Sequence, residues 1–171
     1  MPCDIRELVA SDAAAFQALR LEALLECPSA FSSSHEEERG LSLDEVAKRI
    51  VARPECCVLG AFEKAQLVGI VGLRREQQRK LSHKAFIWGM FVAPHSRKSG
   101  IGRSLVSIAL ASAARMPGVR QVNLGVNAAN AAALALYESL DFKPFGLERG
   151  FMLLEEKLHD EIHMVHVLAA T

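Results

Sequence analysis

Phe91-Val92-Ala93-Pro94, followed by Arg97-Lys98-Ser99-Gly100-Ile101-Gly102-Arg103, is the stretch on which the fold of this chain turns. Ala85 to Val92 is an apolar run of strand length, and Pro94 closes it because proline cannot donate to a ladder. From Arg103 to Ala114 the period changes. Leu105, Ile108, Ala109 and Ser112 recur at helical spacing, and Gly118 stops the helix. Val119 to Val126 then reads as a strand, so the unit is strand, glycine turn, helix, strand: a βαβ crossover. Gly100 and Gly102 let the backbone approach a ligand closely. The free N–H groups at the helix start favour an anion there, and Arg97, Lys98 and Arg103 add charge. No third glycine follows, because Leu105 occupies its place, and no Gly-Lys-Ser/Thr follows either. The loop is therefore neither a dinucleotide fingerprint nor a Walker loop.

On the N-terminal side, Cys56 to Phe62, Leu67 to Leu73 and Ala85 to Val92 are strands joined by short polar segments, which predicts an antiparallel meander. Ile5 to Leu8 reads as a short strand, and Ser11 or Asp12 as the cap of a helix that Pro28 ends. Ser42 and Glu45 form a capping box for a second helix closed near Pro54. On the C-terminal side, Ala128 to Leu140 is an alanine-rich helix ending at Asp141. Residues 151 to 154 and 160 to 168 read as the last two strands. A meander feeding a βαβ unit predicts an α/β fold with a mixed sheet.

A chain of 171 residues with half of them hydrophobic is expected to form one domain, residues 1–171. A chain of this length buries about 70% of the surface it exposes when unfolded. Lys plus Arg and Asp plus Glu both number 20, so the net charge is zero with His neutral. That balance argues against a nucleic-acid coat and against a polybasic membrane binder. No apolar run is long enough to span a bilayer, and the opening Met-Pro-Cys-Asp-Ile-Arg-Glu lacks the apolar core of a signal peptide. A cytoplasmic setting is expected. Cys3, Cys27, Cys56 and Cys57 form no C-x-x-C pair and read as buried, reduced thiols.

The zero sum hides a partition. From Gln77 through Tyr137 there is no Asp or Glu, and the window carries a net charge of +8 between two flanks of −4 each. Such a segment suits a polyanionic ligand, although solvated surface charge gives the same count. Downstream, Asn127 and Asn130 cluster where a strand meets a helix; Asn127 fits an N-cap. Tyr137, the only Tyr, lies about two turns beyond Asn130 and near the same helix face. Taken alone it reads as a half-buried core aromatic. His159, His163 and His166 have metal-like spacing on a helix. The alternation around Ile162 and Met164 reads as a strand instead, with His163 and His166 on opposite sides, so no metal is expected.

Together these blocks resemble the GNAT family of N-acetyltransferases. Its pattern of a small apolar-Val-x-Pro strand end and Arg/Gln-x-x-Gly-x-Gly/Ala is matched by Phe91 to Pro94 and Arg97 to Gly102. Its second block is matched by Asn130 through Leu136-Tyr137 and Leu140-Asp141-Phe142. Ile5 to Leu8 with Asp12, Phe16 and Leu19-Arg20 looks like its opening, and Asp160 to Met164 like its last strand. The resemblance implies a mixed, mostly antiparallel sheet flanked by helices, with the βαβ unit binding acetyl-CoA. Backbone amides from Lys98, Ser99, Gly100, Ile101 and Gly102 to Arg103 would hold the pyrophosphate. The main chain of Met90, Phe91 and Val92 would pair with the pantetheine arm, and one N–H there would polarise the thioester carbonyl. Asn130 would bind the same arm, and Tyr137 would protonate the departing thiolate as general acid.

Two departures stand out. Where some members carry a general-base Glu before the Asn helix, this chain has Gly125, and the Ala85 to Val92 strand holds no carboxylate. The base is then Glu76, one of Glu36 to Glu38, His83 or a water chain; alternatively, the enzyme takes amines that are already partly neutral. Asp141 replaces the usual Gly after the helix, where Asp tolerates a left-handed cap. The expected activity is acetyl transfer to a primary amine of a small molecule. The alternatives are a protein N-terminus or lysine as acceptor, and a coenzyme A-binding sensor without turnover. A homodimer is compatible with the family.

Overall fold

The computed structural model describes residues 3–169. Residues 1, 2, 170 and 171, which the reading of 1–171 as one domain includes, lie outside the described residues. The seven strands are β1 (Asp4–Glu7), β2 (Cys56–Glu63), β3 (Gln66–Arg75), β4 (Lys84–Val92), β5 (Gln121–Asn127), β6 (Lys143–Leu154) and β7 (Lys157–Val167). They form one sheet in the order β1-β2-β3-β4-β5-β7-β6. Every neighbouring pair is antiparallel except β4 and β5, which are parallel and joined by the crossover helix α4 (Ile101–Arg115). This is the expected meander and βαβ unit, within a mostly antiparallel sheet.

Helix α4 covers one face. A Cβ on Gly69 of β3 would touch Leu105 at 3.0 Å and Ile101 at 3.2 Å, so the bare backbone lets the helix seat closely. Helices α1 (Ala13–Glu26) and α3 (Leu43–Ile50) pack on the other face. The short α2 (His35–Glu38) lies between them in sequence, and α5 (Ala131–Glu138) follows β5. The core runs through Phe16, Leu24, Val46 and Ile50 beneath the sheet and through Leu105, Val106 and Ala109 above it. Capping boxes at Ser34–Glu37 and Ser42–Glu45 start α2 and α3. The second is the box read from the sequence.

Four readings change. The strand read over residues 151 to 154 starts at Lys143, because β6 is an outer strand whose free edge accepts Pro144, with register shifts after Pro144 and Glu148. The alanine-rich helix spans only Ala131–Glu138, and Asn130 rather than Asn127 caps it, its Oδ1 accepting from Ala133 N at 3.1 Å. Asp12 stands at the N-cap position of α1 but makes no side-chain cap bond to it; its carboxylate instead takes the Val9 N–H at 2.8 Å and both Arg6 nitrogens. Of the four free thiols only Cys57 is buried, and burial pushes it up to about 11; Cys3, Cys27 and Cys56 are half-buried. Asp141 adopts φ 62°, the left-handed conformation expected of it. His163 and His166 point to opposite sides, one towards Glu148 and the other onto Phe142. Among the described residues, no helix is long and apolar enough to cross a membrane.

Candidate active site

The site is made by a defect in the sheet. β4 and β5 pair only from Lys84 to Phe86 against Gln121 to Asn123. Beyond Phe86 they diverge, because β4 bulges against β3 between the Ile70–Phe91 and Gly72–Trp88 pairs. Gly89 takes φ 63° inside that bulge, a conformation costly for any side chain. The β5-facing edge of Ile87 to Val92 is left without a strand partner. A wedge-shaped cavity of about 570 Å³ opens there, lined by Met90, Phe91 and Val92 on one side and Leu124 to Asn127 on the other.

The mouth of the wedge is the glycine loop. Lys98 and Gly100 hold left-handed φ values of 63° and 85°. Ser99 locks the turn by donating to Ser96 O at 2.6 Å. No backbone N–H from Lys98 to Arg103 donates to a carbonyl among the described residues. These uncommitted donors lie at the positive end of α4, which suits a phosphate group. Gly102 serves differently. A Cβ there would meet Met90 at 3.3 Å and Leu136 at 3.4 Å, so its absence keeps the wedge open. Gly100 has free space around it and is needed for its backbone conformation alone. Gly100→Ala should therefore cost roughly 1–2 kcal/mol locally. The expected result is an acetyl-CoA KM about tenfold higher and a melting temperature lower by roughly 2–8 °C.

The basic side chains divide. Arg97 turns back from the mouth, donating to Val92 O at 2.9 Å, approaching Glu26 at 3.6 Å and stacking on Phe91. Arg103 bonds Ser139 Oγ at 2.7 Å and so ties α4 to the end of α5. Lys98 is exposed and has no carboxylate partner among the described residues. The remaining cations of the acid-free window, Arg79, Lys80, Lys84, Arg115 and Arg120, lie around the opposite end of β4, where Arg120 N bonds His83 O. The +8 segment is thus split between two ends of the sheet, with three of its charges at the loop.

Tyr137 closes the inner end of the wedge. It is 6% exposed and packs edge-on against Phe142 at 5.7 Å, which in turn rests on His166. His166 Nδ1 lies 2.9 Å from Leu140 O, fixing that stack from below. Burial pushes the Tyr137 phenol up to about 12, so it keeps its proton at neutral pH. Tyr137 lines the wedge, and its hydroxyl has no hydrogen-bond partner among the described residues. Asn130 also lines the wedge; capping occupies its oxygen and leaves its amide nitrogen free to donate. Asn127 is tied to the chain, accepting from Ala129 N at 2.9 Å and donating to Ser29 O at 3.0 Å.

A second cavity of about 840 Å³ meets the wedge at Trp88, Gly89 and Gly125. Glu76 is on its wall. His83 is remote, at the far end of β4. Glu36 is exposed, Glu37 is spent on the Ser34 cap, and Glu38 is buried between two arginines. Of the expected carboxylates only Glu76 faces the cavity. Glu161 of β7 faces it too, with its carboxylate over Gly125. Sequence spacing does not single out Glu161. The β5–β7 register, which pairs Asn127 with Glu161, is the signal that finds it.

A sequence model described as the acetyltransferase (GNAT) family matches residues 18–142. The chain belongs to the GNAT acetyltransferase family. It is 31% identical over 128 residues to mycothiol acetyltransferase of Segniliparus rotundus, covering 71% of this chain and 47% of that one. It is 28% identical over 127 residues to N-acetyltransferase 8 of Homo sapiens, covering 74% and 54%. The chain spans about half the length of these curated relatives. Among solved structures, this GNAT chain overlays a GNAT acetyltransferase from Streptococcus pneumoniae with TM-score 0.86 at 23% identity, covering 98% and 100%. It overlays yncA of Salmonella typhimurium, solved with its cofactor acetyl-CoA, with TM-score 0.87 at 21% identity, covering 100% and 96%. These overlays establish a GNAT fold along the whole described chain.

Proposed function

We propose that residues 1–171 form one N-acetyltransferase domain, cytoplasmic in setting. It moves an acetyl group from acetyl-CoA to a primary amine of a small molecule, by direct attack with both substrates bound. One observation carries this reading: a single wedge joins an anion-binding loop and a buried phenol, and it meets a second, concave cavity at Trp88, Gly89 and Gly125. Acetyl-CoA supplies the activated acyl group as a thioester and brings phosphates for the loop. The chain fits it: the uncommitted N–H groups from Lys98 to Arg103 suit pyrophosphate, and the bare Gly102 leaves the arm a path. The unpaired edge of Met90 to Val92 offers main-chain donors and acceptors to an extended arm, as to an added strand. The amide nitrogen of Asn130 faces the same path. Tyr137, protonated at neutral pH, gives its proton to the leaving sulfur.

The second cavity is the acceptor side. Its volume of about 840 Å³ suits a small molecule, and Trp88, Phe86 and Phe151 supply apolar walls. Incubation with acetyl-CoA and a mixed library of small amines and peptides, read by mass spectrometry, tests the reading. The expected product is a small amine heavier by one acetyl group. Acetylated peptides alone would move the acceptor to polypeptides. Tight acetyl-CoA binding with no product would favour the sensor.

A further inference from the structure

Neither β4 (Lys84–Val92) nor β5 (Gln121–Asn127) holds an Asp or Glu, so an amine beside the wedge meets no carboxylate from either strand. At neutral pH an alkyl amine arrives as an ammonium ion, which cannot attack a carbonyl until it loses a proton. The structure brings a carboxylate to this place from another strand. Glu161 pairs with Asn127 across the β5–β7 ladder and leans diagonally over Gly125. A Cβ on Gly125 would fall on Glu161 Oε1 and lie 3.1 Å from Oε2. The missing side chain at 125 is the space the carboxylate occupies. Gly125 lines both cavities, which puts the carboxylate at their junction.

We propose that Glu161 is the general base that deprotonates the acceptor amine. This rests on the acetyl-transfer reading above. The carboxylate side chain is only 16% exposed. Burial raises it above the usual carboxylate range; His163 works against the rise and Glu148 with it. That moves a Glu towards the neutral range in which a base works best. Of the groups facing it, His163 shares its strand and Glu148 comes from β6, while β5 presents only Gly125 and Asn127. Across the cavity stand Glu55 and Glu76 among the guanidiniums of Arg53, Arg74 and Arg75.

The surroundings also give the proton a way out. His163 Nε2 lies 2.9 Å from Glu148 Oε2. Its Nδ1 lies 3.6 Å from Glu161 Oε1. Glu148 is exposed. A proton taken by Glu161 leaves through the open cavity that its side chain lines. In the full step Glu161 removes one proton from the ammonium, and the freed nitrogen pair forms the C–N bond at the thioester carbonyl. The C–S bond breaks with its electrons on sulfur, and Tyr137 protonates the thiolate. The Tyr137 phenolate recovers the second nitrogen proton. One proton is released per acetyl group moved.

The test measures kcat/KM against pH for the wild type, Glu161→Gln and Gly125→Ala, with acetyl-CoA and the fastest alkyl amine from the library above. Glu161→Gln should lose about 10²–10³-fold at pH 7, with acetyl-CoA KM unchanged. Its deficit should narrow as pH rises towards the amine's own pKa, where the free base needs no help. Gly125→Ala, which pushes the carboxylate aside, should show the same pattern at about tenfold. Glu161→Asp should recover part of the rate. A Glu161→Gln enzyme with wild-type rates, or with a loss equal at every pH, overturns the assignment while leaving acetyl transfer standing. A wild type that acetylates no amine overturns the acetyl-transfer reading and this assignment with it.

Discussion

Tyr137→Phe should lower kcat by about 10²–10⁴-fold while leaving acetyl-CoA KM within a factor of two. The substitution removes one oxygen that faces the wedge and keeps the ring on Phe142, so the stack at 5.7 Å survives and the melting temperature should hold. The effect is large because Tyr137 lines the wedge and a phenyl ring in its place offers the departing thiolate no proton. The phenol sits at about 12 through burial, well above a thiol in water. The same burial disfavours the thiolate and lifts its proton affinity too, so transfer between the two stays near balance. Because that value lies above the assay range, Tyr137 stays protonated from pH 6 to 9 and adds no basic limb there. Steady-state kinetics of both proteins across that range check the prediction. A Tyr137→Phe enzyme at full kcat would assign Tyr137 to packing alone.

Glu38→Gln should destabilise the protein by about 3–5 kcal/mol, a fall in melting temperature on the order of 10 °C. Glu38 and Arg20 are almost wholly buried, with side-chain exposures of 5% and 4%, and form a two-pronged pair at 2.8 and 3.0 Å. Arg49 adds a third bond at 3.1 Å. Arg20 stacks on Phe31 and Arg49 on Trp88, so this knot fixes the wall of the acceptor cavity. Losing the carboxylate leaves a guanidinium in the interior without its counter-charge, and Arg20 Nη1 already lacks a partner. Glu36→Gln, on an exposed neighbour, is the control and should change little. Burial alone would raise the Glu38 carboxyl, but the Arg20 and Arg49 guanidiniums outweigh it and hold it below the usual value of 4.5. A depressed folded pKa stabilises above the unfolded value and is lost as pH falls through the folded one. Wild-type stability should therefore drop below about pH 4.5 more steeply than that of Glu38→Gln, in thermal melts at stepped pH.

The chain also shows where local sequence stops being informative. Phe91 to Arg103 announces strand, loop and helix because proline and glycine act on their own residues and nearest neighbours. The antiparallel meander and the parallel crossover follow from connection lengths. Lys143 to Gly150 gives no such signal. An outer strand with Pro144 and Gly146 looks like a loop until β7 pairs with it. The two asparagines show the same limit at one-turn scale. Either Asn127 or Asn130 can cap, and the contact of Asn127 with Ser29, distant in the chain, commits it elsewhere.

For the candidate site, the loop from Lys98 to Arg103 is legible from its own glycines and charges, whereas Met90 to Val92, Asn130 and Tyr137 stand out only through the family resemblance, and the structure lines one wedge with them. All of these lie within one βαβ unit and its following helix. The order of residues along the chain also suffices to show that β4 and β5 carry no carboxylate. Three further features come from packing alone: Arg97 braces its own loop, Glu38 is locked in the interior, and Glu161 leans over Gly125. Each of those depends on which elements lie side by side and in what register. A β-ladder contact is set by the pairing of whole strands, and nothing in the residues flanking Gly125 records that a carboxylate from β7 fills its missing side chain.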